Sequence, residues 1–242
     1  MLSHEIADCC KALKISQNMV ENSQKVTADS HQEYLLKLLK LEIEHREKTR
    51  QNRLIKNAGF YTMKSLEVFK FDEVTVPASI NIDYLRKCEF IKDKSNLVFY
   101  GNVGTGKTHL ATAIGIEACK LGKSVKFFRT AALVNKLSEA KKAKELSGFI
   151  KQIMKNDLLI FDEWGYIPLD RDGSQLLFEI ISECYERKSI IITTNIEFSR
   201  WTNVLYDEQM TGALIDRLLH HCHLLIFNGE SERMKNSLIR QG

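Results

Sequence analysis

Proline is scarce in this sequence, occurring only at Pro77 and Pro168 in 242 residues. That composition argues against a disordered or linker-rich chain. No apolar run approaches the roughly 20 residues needed to span a bilayer. The first residues, MLSHEIADCCKALKI, carry acids where a signal peptide has an unbroken apolar core. We therefore expect a globular protein without a membrane partner.

The cysteines show no metal-binding or disulfide pattern, because none of the six forms a C-x-x-C pair. Several lie in apolar, helix-like segments. Free thiols in a reducing compartment are therefore predicted, and with them a cytoplasmic location. The six are Cys9, Cys10, Cys88, Cys119, Cys184 and Cys222.

Charge alone identifies no partner, since the net charge is only +4. Five basic residues nevertheless crowd into one short stretch and form a candidate phosphate-contacting surface. A solvated helix face is the alternative interpretation, and charge alone favours it. The five are Arg46, Lys48, Arg50, Arg53 and Lys56.

Helical periodicity over residues 31–57 predicts a long helix that contains this basic stretch. Its Leu-rich first half, which includes Leu35, Leu38 and Leu39, should bury an apolar stripe, and its basic second half should face outward. The sequence Asn57-Ala58-Gly59 predicts the end of the helix.

Short, nearly continuous apolar runs predict five β-strands that alternate with helices. Runs of this kind are typical of parallel strands covered on both faces, so the predicted fold is α/β with a five-stranded parallel sheet. Ligands bind such sheets at the carboxyl ends of the strands. The predicted strands are residues 96–101, 124–130, 157–163, 189–195 and 223–229.

A phosphate-binding loop is predicted at GNVGTGKT, which matches G-x-x-x-x-G-K-[ST] between a strand and a helix. Its backbone N–H groups and the following helix N-terminus would face phosphates. Lys107 would neutralise the β- and γ-phosphates of a nucleoside triphosphate, and Thr108 would place its hydroxyl on Mg²⁺. The loop comprises Gly101, Asn102, Val103, Gly104, Thr105, Gly106, Lys107 and Thr108.

Polar residues at the ends of two later strands complete the predicted site. Asp162 is placed on the metal side, and Glu163, pointing to the other side, would polarise a water for attack on the γ-phosphate. Asn195 is predicted to hydrogen-bond that water or the γ-phosphate. Helix-starting acids and a polar turn residue are the alternative interpretations of these positions.

The stretch ALIDRLLHHCH concentrates histidine and cysteine and raises the question of a metal site. A strand reading puts His221 and His223 on one face and Cys222 on the other, while His220 lies near a helix end. The spacing of structural zinc sites is missing, so these four residues are interpreted as scaffold. Arg217, in the same stretch, is the candidate functional residue.

The quoted residues resemble an AAA+ ATPase and, more narrowly, the IstB-like helper ATPases of bacterial insertion sequences. The narrower likeness is carried by FDEWGYIPLDRDGSQLLFEIISECYERKSIIITTN, by TGALIDRLLHHCHLLIFNGESER and by the helical region before the P-loop. It implies a helical N-terminal domain at residues 1–68, for DNA binding or oligomerisation, and an AAA+ ATPase domain at residues 69–242. A helical lid is expected to be absent or reduced, because little chain follows the last strand.

This resemblance also implies roles and partners. Arg217 is placed like an arginine finger that reaches a neighbouring subunit's ATP, and Arg233 like a sensor arginine on its own subunit's phosphates. Family members form ATP-dependent homo-oligomers on double-stranded DNA and assist a transposase. A DnaC-like helicase loader and a non-catalytic, nucleotide-gated DNA-binding scaffold remain alternatives; Glu163 beside Asp162, with Arg217, favours hydrolysis.

A second lysine-rich segment, residues 136–153, is a candidate DNA-facing surface of the assembled oligomer. An exposed helix with solubilising lysines is an equally simple interpretation. Its lysines are Lys136, Lys141, Lys142, Lys144 and Lys151.

Overall fold

The computed structural model describes residues 2–231. The chain divides into two compact units, with the division between Arg53 and Leu54. The domain boundary predicted at residues 68 and 69 stays a prediction. Within the described residues, no helix has both the length and the apolar content needed to cross a membrane.

The first unit consists of helices. They are α1 (Leu2–Ala12), α2 (Asn18–Lys25) and the part of α3 (His31–Ala58) that precedes Leu54. The long helix predicted over residues 31–57 is thus confirmed, and it ends as expected before Gly59, whose φ of 80° suits glycine. The basic side chains of its second half are exposed, as predicted.

The expected burial of the Leu-rich half of α3 is wrong for most of its residues. Leu38 is buried, but Leu35, Leu39 and Ile43 are 56%, 45% and 65% exposed. These three positions recur every four residues and so form one exposed apolar stripe along the helix. Periodicity indicated that an apolar face exists but not what covers it.

Hydrogen bonds of Glu42 connect α3 to the turn between α1 and α2. Its buried carboxylate accepts hydrogen bonds from the Ser16 amide and hydroxyl, at 3.0 and 2.6 Å, and from Arg46 Nε at 2.7 Å. Burial alone would raise the pKa of Glu42, but these hydrogen bonds outweigh it and lower the pKa. The carboxylate therefore remains charged and fully paired.

The second unit contains a six-stranded sheet. Its strands are β1 (Val74–Thr75), β2 (Asn96–Gly101), β3 (Val125–Arg129), β4 (Leu158–Trp164), β5 (Ser189–Thr194) and β6 (Cys222–Phe227). They lie in the order β1-β6-β2-β5-β4-β3. The five predicted strands are all present and mutually parallel, within one or two residues of the predicted bounds. The predicted count of five is corrected by β1 (Val74–Thr75), which pairs antiparallel with the edge of β6. Two residues are too few to show a periodic pattern.

Helices cover both faces of this sheet, so alternate strand residues enter two separate apolar cores. On β2, Leu97 and Phe99 face the core that contains α6 (Lys107–Lys120). Val98 faces the core formed by α7 (Thr130–Lys142), α9 (Arg171–Cys184) and α10 (Glu208–Leu219). Both faces are therefore dry, which explains the continuous apolar runs. The other helices described in this unit after α3 are α4 (Ile82–Arg86), α5 (Glu89–Lys92) and α8 (Leu146–Ile153), with a 3₁₀ helix at Phe198–Asn203.

Capping side chains define where the two helices beside β5 begin. Asp170 accepts a hydrogen bond from the Gly173 amide at 2.7 Å and caps α9. Asp207 accepts one from the Met210 amide at 2.6 Å and caps α10. These caps satisfy amides that a helix start leaves unpaired. The Asp207 cap fixes the start of α10, the helix that carries Arg217.

Candidate nucleotide-binding site

Residues 102–106 form the turn that joins β2 to α6, as the P-loop motif predicts. Two glycines are required by close contacts. A Cβ on Gly101 would lie 2.3 Å from the Phe227 carbonyl oxygen of β6. Gly104 has a φ of 83°, and its Cβ position would meet the Ser231 side chain. Larger residues would force the loop away from β6 and from the chain that follows it.

Lys107 begins α6 and folds its side chain back into the loop. Its ammonium donates hydrogen bonds to the carbonyl oxygens of Gly101 at 2.7 Å and Asn102 at 2.6 Å, and the residue is 7% exposed. The positive charge is therefore held inside the curve of the P-loop, beside the N-terminus of α6. This is the region in which a helix start attracts anions.

Asp162 lies at the carboxyl end of β4 and is almost fully buried, at 3% exposure. Its Oδ1 accepts hydrogen bonds from the hydroxyls of Thr108, at 2.8 Å, and Thr193, at 2.5 Å. The structure thus brings together the two residues predicted to hold Mg²⁺, Thr108 and Asp162. Hydroxyl and carboxylate oxygens are ligands that suit this ion.

Asp162 and Glu163 form a β-bulge in β4. Phe161 pairs with Ile192 and Trp164 pairs with Thr194, so two residues of β4 oppose Thr193 alone. Glu163 has a φ of 60°, a left-handed conformation that costs a non-glycine residue roughly 1–2 kcal/mol. Its amide donates to the Thr193 hydroxyl at 3.1 Å, which supports this turn. The bulge aims the two carboxylates differently from a regular strand.

Arg129, at the end of β3, contacts Glu163, the residue predicted to activate water. Its Nε lies 3.6 Å from Glu163 Oε2, and both side chains are about half exposed. The guanidinium also stacks on the Tyr61 ring, 4.4 Å from its centroid. Glu163 is thus loosely paired with a cation that itself rests on the segment following α3.

Thr193 and Arg129 are the site residues that the sequence analysis missed. Asn195, chosen for the end of β5, follows the strand and is exposed, whereas Thr193 makes the contact with Asp162. The available signal was the pair of threonines that ends an otherwise aliphatic strand. Arg129 carried a comparable signal as the charged last residue of β3.

Arg217 lies in the last turn of α10, and the structure does not bring it to the P-loop. Its guanidinium carbon lies 4.7 Å from the ring centroid of Phe178 on α9. Its Nη1 is buried without a hydrogen-bond partner in the part of the chain that the structure describes. Arg233, the second predicted arginine, lies outside the described residues.

The four residues of the HHCH stretch have different surroundings. His221 precedes β6 and approaches Glu186, while His223 hydrogen-bonds Ser79 at 3.2 Å and contacts the Tyr84 ring. Burial raises the pKa of Cys222 to about 12, so this thiol stays protonated and is a poor metal ligand. His220 lies at the end of α10, as predicted.

Comparison with known proteins agrees with the site. Residues 10–239 match the family model described as IstB-like ATP binding protein. The chain belongs to this family. An insertion sequence IS232 putative ATP-binding protein of Bacillus thuringiensis subsp. berliner is 36% identical over 210 residues, which are 86% of this chain and 84% of that protein. The IS21 putative ATP-binding protein of Pseudomonas aeruginosa is 32% identical over 241 residues, 96% and 89% of the two chains.

Solved structures confirm the AAA+ fold of this IstB-like protein. AMPPCP-bound DnaA from Aquifex aeolicus superposes with a TM-score of 0.56 and 22% identity, covering 73% of this chain and 54% of DnaA. A DnaC helicase loader superposes with a TM-score of 0.50 and 25% identity, covering 71% of this chain and 96% of the loader. The resemblance drawn from the sequence is thus confirmed.

Proposed function

We propose that this IstB-like protein binds ATP with Mg²⁺ at residues 101–108 and hydrolyses it. The observation that carries the proposal is the buried Asp162 carboxylate, hydrogen-bonded to Thr108 beside the P-loop. Thr108 and Asp162 fit a magnesium ion, which when bound would neutralise charge on the β- and γ-phosphates. Lys107 would exchange its loop carbonyls for phosphate oxygens, since an ammonium binds either acceptor.

Hydrolysis is assigned to Glu163 as the group that orients water. Its carboxylate would accept a hydrogen bond from the water, whose oxygen forms a bond to the γ-phosphorus while the bond to the β,γ-bridging oxygen breaks. The pairing with Arg129 competes with this hydrogen bond. Asn195 is proposed as a further contact to the water or γ-phosphate, Arg217 as the finger supplied to a neighbouring subunit, and Arg233 as a phosphate sensor in its own subunit.

Double-stranded DNA is the proposed macromolecular ligand, and a basic groove in the first unit supports it. This groove has a volume of about 520 Å³ and includes five cationic side chains against the single carboxylate of Glu42. Because Glu42 is already bonded to Ser16 and Arg46, it offers little repulsion to phosphates. The cations are Lys11, Lys14, Arg46, Arg50 and Arg53, three of which belong to the predicted basic stretch.

Homo-oligomers with ATP sites at subunit interfaces are proposed on two observations. Arg217 packs against Phe178, and within residues 2–231 its buried Nη1 has no hydrogen-bond partner. The stripe of Leu35, Leu39 and Ile43 offers an exposed apolar surface that a second copy would cover. The free state of all six cysteines supports the proposed cytoplasmic location.

Assistance to a transposase is the proposed biological role, since the relatives are insertion-sequence proteins. Loading of a replicative helicase is the second candidate, favoured by the similarity to the DnaC loader. Co-purification of the ATP-bound protein with an insertion-sequence transposase or with a replicative helicase distinguishes the two. Capture of the helicase alone would contradict the transposition role.

The test of the ATPase proposal is Glu163→Gln, which removes the carboxylate but keeps the shape of the side chain. We expect ATP binding to persist, turnover to fall about 100-fold or more, and the protein to stay assembled on double-stranded DNA in sedimentation. Glu179→Gln, an exposed acid on α9, is the matched control and should keep wild-type turnover. Near-normal turnover in Glu163→Gln would refute the role of Glu163.

A further inference from the structure

Three potential metal ligands converge at the edge of the sheet opposite the P-loop. Glu186 lies between α9 and β5, and His220 and His221 lie between α10 and β6. Both connections precede parallel strands, so they share the amino-terminal edge of the sheet, whereas the P-loop follows a strand. Glu186 adopts a left-handed conformation, with a φ of 54°. This cluster therefore has no part in the nucleotide site.

The distances suit a single ion with modest side-chain adjustment. Glu186 Oε1 lies 3.8 Å from both His220 Nδ1 and His221 Nε2, and the three ligand atoms lie within 4.8 Å of one another. Bonds of about 2.0–2.2 Å to a tetrahedral ion place donor atoms about 3.4 Å apart. Small side-chain rotations close that difference. All three side chains are about half exposed, so an ion and a water ligand can reach them.

The surrounding charges leave the carboxylate available. Arg187, the nearest arginine in sequence, pairs instead with Glu183 at 2.9 Å. In the described part of the chain, the ion-pair partners of Glu186 are the two imidazoles. The Tyr185 hydroxyl hydrogen-bonds His220 Nδ1 at 3.0 Å and also hydrogen-bonds the Glu186 side chain, so an ion would compete with Tyr185 at both ligands. Cys222 and His223 are excluded as ligands by their burial and their other contacts.

We propose that Glu186, His220 and His221 bind a divalent first-row transition ion of the Zn²⁺, Co²⁺ or Ni²⁺ type, with water completing the coordination. Two imidazoles and one carboxylate favour such ions over Mg²⁺, which prefers oxygen ligands. The ion would join the connection after α9 to the end of α10, three residues beyond Arg217. Any effect of the bound ion on Arg217 as an arginine finger rests on the proposed ATPase function. Binding of the ion itself does not.

Cobalt titration of the full chain without nucleotide tests this site. We expect one equivalent of Co²⁺ to bind with ligand-field absorption and no thiolate-to-cobalt charge-transfer band, because no cysteine takes part. Glu186→Gln and His221→Ala should each weaken binding about tenfold or more. His223→Gln and Asp162→Asn, which alter a neighbouring histidine and the nucleotide site, should leave affinity unchanged.

Three outcomes would overturn the site. Equal cobalt affinity in the wild type and Glu186→Gln would show that the His–Glu contacts are only ion pairs. A thiolate band would place the ion on cysteine, and loss of binding in Asp162→Asn would place it at the P-loop. Because no nucleotide is present, failure of this test leaves the proposed ATPase unaffected, and an inactive ATPase leaves the metal site standing.

Discussion

At the scale of single residues, the Thr193 hydroxyl links two acids with different tasks. It donates to Asp162 and accepts from the Glu163 amide, so one oxygen holds the proposed metal ligand and the turn that presents the proposed water-activating group. A hydrogen bond to a charged group contributes about 1.5–3 kcal/mol. Thr193 thereby stabilises the left-handed conformation of Glu163.

Thr193→Val keeps the shape of the side chain and removes both hydrogen bonds. We expect ATP turnover to fall about tenfold, because Asp162 loses a donor and Glu163 its support. Thr193→Ser retains the hydroxyl and should stay within about twofold of wild type in the same steady-state assay. Equal losses in both variants would show that the methyl packing, rather than the hydroxyl, is what matters.

Arg129 restrains Glu163 through an exposed ion pair. Such pairs contribute up to about 1 kcal/mol, so Arg129→Ala should raise basal ATP turnover by up to about fivefold. Lys25→Ala, which breaks an exposed pair with Glu21 in the first unit, is the control and should leave turnover unchanged. A fall in turnover for Arg129→Ala would instead assign Arg129 a direct role at the phosphates.

At the scale of elements, the strands were predictable and the short or irregular features were not. Five apolar runs became five parallel strands because burial on both sheet faces leaves a continuous pattern. The two-residue β1 carries no such pattern, and the bulge at Asp162 and Glu163 depends on pairing with β5. The P-loop could be placed from the sequence because its conformation needs glycines at defined spacing.

Two basic surfaces are proposed to contact DNA, and the salt dependence of DNA binding tests each. The lysines of residues 136–153 are exposed, although Lys141 already contacts Asp172 at 3.1 Å. Replacing Lys141, Lys142 and Lys144 by alanine should weaken DNA binding and reduce the salt slope by about 0.9 per lost phosphate contact. Replacing Lys11, Lys14 and Arg53 tests the groove of the first unit in the same way.

The control for both triple variants carries the same change of charge on another surface. Replacing the exposed lysines Lys87, Lys92 and Lys120 should leave the salt slope unchanged. If all three triple variants lose affinity equally, net charge alone governs binding. If either test variant keeps the wild-type slope, the corresponding surface does not contact phosphates.

At the scale of the whole molecule, an arginine away from its own nucleotide site predicts activity shared between subunits. Lys107→Ala and Arg217→Ala should each be nearly inactive alone. Mixed in equal amounts, they should recover up to about a quarter of wild-type turnover, because half-sites combine at random across interfaces. Steady-state turnover across mixing ratios measures this. No recovery at any ratio would contradict action between subunits.

Local patterns in the sequence determined the strands, the P-loop and the acids at the end of β4, since the spacing of buried residues and the backbone conformation depend on neighbouring residues. Tertiary structure alone decided which distant side chains meet. Thr193 reaches Asp162 because β4 and β5 are neighbours in the sheet, although 31 residues separate them. Likewise, the histidines that are adjacent in the sequence have different partners in the structure. His220 and His221 lie near Glu186 because the connection before β6 and the connection before β5 share one edge of the sheet.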